Sequence, residues 1–356
     1  MPEPLVGERE LIHSLLLLTL SPQRATGAFD QLGLAGREET EFLRLANSHH
    51  VIVRALTALQ PLVNAERKER ISAALQHEEA RITNALRSLN DICGTLEQNN
   101  CPVVVIKSLD HSPDLGNDLD LFTTASAAEV VKVFTKVFGA TIQPRSWGDR
   151  LANKWNFEIP GLPESVEVHC ERIGQTGEQV ALAKRFVQRR VQKDLQGYTF
   201  VVPAPEERII VSCLQRMYRH FYFRICDIVN AANLMQAKEI DYNELRRACM
   251  AGGIWPGVAT YLRVVRDYIG QYREETVSLP EQVENAASFG ADKLYVQRGF
   301  IRVPILPEGA SFYRHEIAAA ARRGDMPATL RLSLLPPLAS AAAVAYKLTG
   351  SDKGVW

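Results

Sequence analysis

The sequence lacks most of the features by which enzymes and membrane proteins are commonly identified. Its 41 basic and 41 acidic side chains cancel to a formal net charge of zero. No global basic field therefore points to nucleic acid, although a local basic patch remains compatible with the composition. The six cysteines, Cys93, Cys101, Cys170, Cys213, Cys226 and Cys249, contain no CxxC pair. This spacing argues against a zinc site and a disulfide framework, and it fits a reducing compartment, so a cytoplasmic location is expected. No basic segment precedes an apolar run near the start, and no signal peptide is expected. The longest apolar run, around Leu15 to Leu18, is too short to span a bilayer. Walker loop, GxGxxG, HExxH, GxSxG and heptad register are all missing, which removes the commonest competing enzyme classes. What remains is an ordinary globular composition, 46% apolar and 23% charged, in 356 residues, room for two or three packed units.

The most informative stretch is PVVVIKSLDHSPDLGNDLDL, Pro102 to Leu121. Pro102 to Ile106 is β-branched and apolar, as a buried strand requires. Lys107 and Ser108 stand at its end, and Leu109 to Asn117 has the composition of a loop. Asp118-Leu119-Asp120-Leu121 then alternates charge with leucine. On a strand this puts Asp118 and Asp120 on one face and the leucines on the other. Two adjacent carboxylates repel, and a divalent cation relieves that repulsion. Oxygen ligands with room for water and phosphate suit Mg²⁺. Asp-x-Asp also arises by chance, and two exposed aspartates on an edge strand need no metal. A second strand, Ser165 to Glu171, places Glu167, His169 and Glu171 on one face. Glu167 is the candidate third carboxylate; an exposed strand residue accounts for it equally well.

The rest of the chain reads as framework. Residues 1–98 are predicted helical, with a break at Ser21-Pro22, one helix over Glu41 to Leu62 and a long one over Glu66 to Leu96. His49-His50 read as ordinary helix-surface or packing residues. Residues 99–203 carry the strands and a helix over Ala125 to Phe138, capped by Thr124 or Ser126 and ended by Gly139. Further strands are expected over Ala140 to Pro144 and Lys154 to Ile159. Residues 204–275 are helical again, starting at Pro205. There Arg224 and Asp227 are spaced for an ion pair; alternatively Arg219, His220 or Arg224 faces a phosphate. Residues 276–356 form a tail with a hairpin around Arg298-Gly299, a helix over Ser311 to Arg323, and an apolar segment interrupted by Pro336-Pro337. Arg314, His315, Arg322, Arg323 and Arg331 form its basic concentration, read as a solvated face.

The order of strand, Lys107-Ser108, polar loop and Asp118-Leu119-Asp120-Leu121 resembles the nucleotidyltransferase superfamily that includes polymerase β. Within it the chain is similar to a poorly characterised bacterial nucleotidyltransferase family over roughly residues 40 to 270. That family has Lys-Gly after the first strand, then Asp-x-Asp-Leu, then an acid two before a histidine, here Glu167-Val168-His169. A helix ending in His220, the turn Arg224 to Ile228, and Asp241-Tyr242 opening a helix follow in the same order. The resemblance implies an α+β fold, with a polymerase β-like core of short mixed sheet and helices flanked by helical regions. It implies transfer of a nucleoside monophosphate from a nucleoside triphosphate (NTP) to a hydroxyl, with release of pyrophosphate. Asp118, Asp120 and Glu167 would be the catalytic and metal-binding residues, holding Mg²⁺ (or Mn²⁺). Lys107, Ser108 and Arg224 would bind the nucleotide, and His169 would support Glu167. The acceptor, whether RNA, protein, sugar or small molecule, is left open. Ser108 stands where the family has Gly, and Glu167 where it has Asp. These departures carry an alternative: a degenerate, non-catalytic binding or regulatory module. A third reading, a purely helical interaction protein, expects no sheet between residues 101 and 203.

Overall fold

The computed structural model describes residues 7–24, 37–273 and 275–349. Helix α1 (Glu8–Leu20) buries Leu11, Ile12, Leu15 and Leu18 and stops at Ser21. Helices α2 (Arg37–Ser48) and α3 (Ile52–Leu59) replace the single helix predicted over Glu41 to Leu62. The break falls at His49-His50, which are buried rather than on a helix surface. His50 adopts φ 53, and the His49 ring bonds to distant backbone instead. Its Nε2 donates to the Gly299 carbonyl at 2.7 Å, and its Nδ1 accepts the Ile225 N–H at 3.0 Å. Helix α4 (Ala65–Gln98), capped by Asn64, follows the prediction.

The third reading fails at the next segment, which folds as a five-stranded sheet in the order β1-β2-β5-β4-β3. Its strands are β1 (Val103–Val105), β2 (Asp118–Thr123), β3 (Thr141–Ile142), β4 (Lys154–Glu158) and β5 (Ser165–Cys170). Strands β2 and β5 pair in parallel, and the other neighbours are antiparallel. A parallel pair needs a crossover. Helix α5 (Ala127–Val137) lies on it, with Ser126 in a capping box with Glu129. Phe134 on α5 stacks on Phe157 of β4, ring centroids 4.1 Å apart. Strand β3 is shorter than predicted, although the Gln143 N–H still donates to the Asn156 carbonyl of β4 at 2.9 Å. Helices α6 (Trp147–Leu151) and α7 (Val180–Gln188) and a hairpin of β6 (Arg190–Leu195) and β7 (Tyr198–Pro203) are additional. Gln196 and Gly197 turn that hairpin, both with positive φ.

Helix α8 (Pro205–Cys213) runs into a π-helical turn, Leu214–Arg219. Helices α9 (Ile225–Gln236), α10 (Tyr242–Gly252) and α11 (Trp255–Arg273) follow. The tail does not stand apart. Its hairpin, β9 (Tyr295–Gln297) and β10 (Phe300–Arg302), turns at Arg298-Gly299 as predicted. Strand β10 pairs with β8 (Tyr222–Phe223) directly beyond the π-turn. Helices α12 (Ala310–Arg322) and α13 (Met326–Thr349) complete the fold, and α13 runs through Pro336-Pro337 instead of being interrupted by them. Each proline removes one N–H from the ladder without ending the helix. Buried side chains from Leu11 to Leu335 make one continuous core. Among the described residues no helix is long and apolar enough to cross a membrane.

Candidate active site

The register of the parallel pair sets the site. Asp120 lies opposite Glu167, Asp118 opposite Ser165, and Phe122 opposite His169. On the far side of β5, Lys154 of β4 lies opposite His169. The pleat therefore brings Asp118, Asp120, Glu167, His169 and Lys154 to one face. Leu119, Leu121, Val166 and Val168 point into the core on the other, all fully buried. Asp118 is exposed at the rim, whereas Asp120 is only 5% exposed.

Lys107 leaves β1 with φ 57, and its Nζ lies 2.6 Å from Asp120 Oδ1 and 4.0 Å from Glu167 Oε1. The Ser108 hydroxyl donates to Asp120 Oδ2 at 3.2 Å and accepts the Asp120 backbone N–H at 2.8 Å. Glu167 accepts from Lys154 Nζ and from His169 Nε2, each at 2.9 Å. Lys154 also pairs with Asp149 at 2.8 Å. Burial pushes the Asp120 carboxyl up to about 7 against the pull of Lys107, and the charges of Glu167 and Asp118 add to the rise. Although Asp118 keeps an exposed edge, the protein around its carboxyl displaces enough water to raise it as well, and the Glu167 charge adds to the rise. Burial also opposes the charge on Glu167, but Lys107, His169 and Lys154 together hold it well below the usual range. Burial lowers His169, whose Nδ1 has no hydrogen-bond partner.

A cavity of about 200 Å³ lies over this face. The π-turn and the segment just beyond it also line it, through Gln215, Arg216, Arg219, His220, Tyr222 and Arg224, as do His50 and His111. Single π turns are often found at functional sites. The Arg224–Asp227 ion pair expected from the spacing is not the arrangement found. Asp227 accepts the Arg224 backbone N–H at 2.8 Å, capping α9, and its carboxylate pairs with Arg216 at 2.6 Å. Arg224 Nε is buried without a hydrogen-bond partner. Five cations, Lys107, Lys154, Arg216, Arg219 and Arg224, thus line the cavity with three carboxylates. Sequence reasoning missed Lys154, although its alternation with Asn156 on a strand was visible. It also missed Arg216 and the two histidines, which no local pattern marked. A larger cavity of about 910 Å³, between α1, α11 and the β9–β10 hairpin, has Glu10 as its one acidic residue. It holds no comparable set of carboxylates.

The carboxylate face demands cations. Ligand atoms of Asp120, Glu167 and His169 lie within 4.8 Å of one another. The Lys107 ammonium already stands against two of these residues. An oxygen-rich set with an exposed edge at Asp118 fits a hard divalent ion such as Mg²⁺.

No curated protein matches the chain. A solved structure, an antigenic nucleotidyltransferase-like protein from Paracoccidioides brasiliensis, aligns at 13% identity with a TM-score of 0.35, covering 55% of this chain and 95% of that one. A family model described as uncharacterised nucleotidyltransferase matches residues 35–270. That span is most of the chain and contains the whole carboxylate face and its cationic wall, and the protein belongs to this nucleotidyltransferase family.

Proposed function

We propose that the protein is a metal-dependent nucleotidyltransferase that moves a nucleoside monophosphate from an NTP to a hydroxyl acceptor. One observation carries this reading: Asp118, Asp120 and Glu167 converge across a parallel strand pair and face a wall of arginines. Asp118, Asp120 and Glu167 would hold Mg²⁺ or Mn²⁺, which when bound stabilises the leaving pyrophosphate and lowers the pKa of the attacking hydroxyl. Ser108 keeps Asp120 aimed at the cavity. Lys107, now the counter-ion of Asp120, can exchange that partner for a phosphate. Arg219 and Arg224 suit phosphate oxygens because the guanidinium fork donates two hydrogen bonds at once. His169 and Lys154 fix the Glu167 carboxylate and keep it ionised, the state a metal ligand needs. The partners are thus an NTP and an acceptor whose class, among RNA, protein, sugar or small molecule, is open.

One observation favours the alternative of a non-catalytic module. Lys107 and Lys154 already neutralise Asp120 and Glu167 from within the chain. Incubation with each NTP labelled at the α- or γ-phosphate, Mg²⁺ or Mn²⁺, and a pool of cell RNA and protein separates the readings. Nucleotidyl transfer moves the α-label and not the γ-label to an acceptor. Transfer of the γ-label would mean a phosphotransferase. Tight NTP binding with no transfer from any triphosphate would establish the module.

A further inference from the structure

We propose that His50, His111 and Cys226 form a second metal site, for Zn²⁺ or a similarly soft divalent ion, separate from the carboxylate face. Their ligand atoms lie within 4.8 Å of one another, and all three residues are buried. They come from three separate segments: the break between α2 and α3, the loop between β1 and β2, and the first turn of α9. Cysteine spacing along the chain argued against zinc because it registers only neighbours in sequence.

His50 supplies the independent sign of a ligand. It is 8% exposed, and its Nδ1 has no hydrogen-bond partner. Its Nδ1 and Cε1 edge lies against Gly116, where an added Cβ would stand 2.9 Å from each. The His50 and His111 rings meet edge to face with centroids 5.3 Å apart. Asn230 lies 2.9 Å from His111 Nδ1, and its Oδ1 also has no partner. With the amide turned over, Oδ1 would accept His111 Nδ1–H and leave Nε2 to bind metal, as is usual for ligating histidines. Two imidazoles and a thiolate select zinc-like ions over Mg²⁺. Binding would release the thiol proton. Arg54, Arg216 and Arg224 act on both His111 and Cys226, Lys107 acts on His111 and Asp227 on Cys226, and in these mainly cationic surroundings the thiolate would supply negative charge for a dication. His50 and His111 both line the cavity, from which a fourth ligand, water or an acceptor oxygen, can come. The ion would tie the loop that precedes Asp118 to helices on both sides.

The test is titration of the chelator-stripped, full-length protein with Co²⁺. The proposal expects one equivalent bound with a sulfur-to-cobalt charge-transfer band, displaced by Zn²⁺ and unmoved by excess Mg²⁺. Cys226→Ser should abolish the band and weaken Zn²⁺ binding at least about 10-fold, the scale at which even outer-shell partners act. His50→Gln should weaken binding while keeping the thiolate band. Asp118→Asn with Asp120→Asn should leave both unchanged, which separates this site from the carboxylates. No charge-transfer band in the parent protein, or a band that survives Cys226→Ser, overturns the proposal.

Discussion

Ser108 shows how one hydroxyl changes what a residue is for. In the family this chain resembles, glycine at this position would let backbone approach phosphate. Here the side chain bonds both the carboxylate and the amide of Asp120, a residue almost out of water. Ser108→Gly should therefore destabilise the protein by about 1–3 kcal/mol, the cost of leaving buried groups unsatisfied. Urea unfolding measures it, and an unchanged midpoint would show that water replaces the hydroxyl. Asp120 also predicts a pH dependence. Its folded pKa is raised from 3.8 to about 7, so the folded state binds the proton more tightly than the unfolded state. Its contribution is fully present below pH 3.8 and is lost as pH rises through about 7. Asp114, buried and raised to about 6, slopes the same way, whereas Glu167, depressed, loses its contribution only at lower pH. Without divalent ions, Asp120→Asn should make thermal stability between these pH limits fall less steeply than in the parent. Glu167→Gln keeps size and removes charge. It should lower turnover by about 10²-fold or more, with circular dichroism unchanged. Glu167→Asp should keep measurable activity.

At the scale of elements, the strands that carry the carboxylates were legible, whereas the β6–β7 hairpin and the helix break at His49-His50 were not. Alternation in DLDL and SVEVHC fixes which face each carboxylate takes, and that is local information. The break at His49-His50 depends on Gly299 and Ile225, 250 and 176 positions away, which no periodicity contains. The same holds for Asp227. Its spacing from Arg224 suggested a pair on one helix face, but its carboxylate binds Arg216 from the π-turn and caps its own helix. Both side chains of the Arg216–Asp227 pair are buried. Asp227→Asn should cost about 3–5 kcal/mol, because it strands a buried guanidinium. Arg216 would then be released toward the cavity, so NTP affinity in this variant should not fall in step with stability. Parallel loss of both, read by thermal unfolding and nucleotide titration, would make the π-turn a single rigid unit.

At the scale of the whole molecule, the nucleotidyltransferase core is the middle of a larger body. The N-terminal helices bring His50 to the cavity, and β10 of the tail pairs with β8, which adjoins the arginine wall. The Lys107-to-Asp120 stretch announced the acid face because its residues are neighbours in sequence. The cationic wall was only partly legible, because it is assembled from segments about a hundred residues farther on. The central claim is that Asp118 and Asp120 carry a metal-dependent NTP site. It is tested most directly by calorimetric titration of the full-length protein with a triphosphate that cannot be cleaved between its α- and β-phosphates, with and without Mg²⁺. The account predicts binding that requires Mg²⁺ in the parent and is lost in Asp118→Asn with Asp120→Asn while the fold remains. Equal affinity without the metal, or in the double variant, would contradict it.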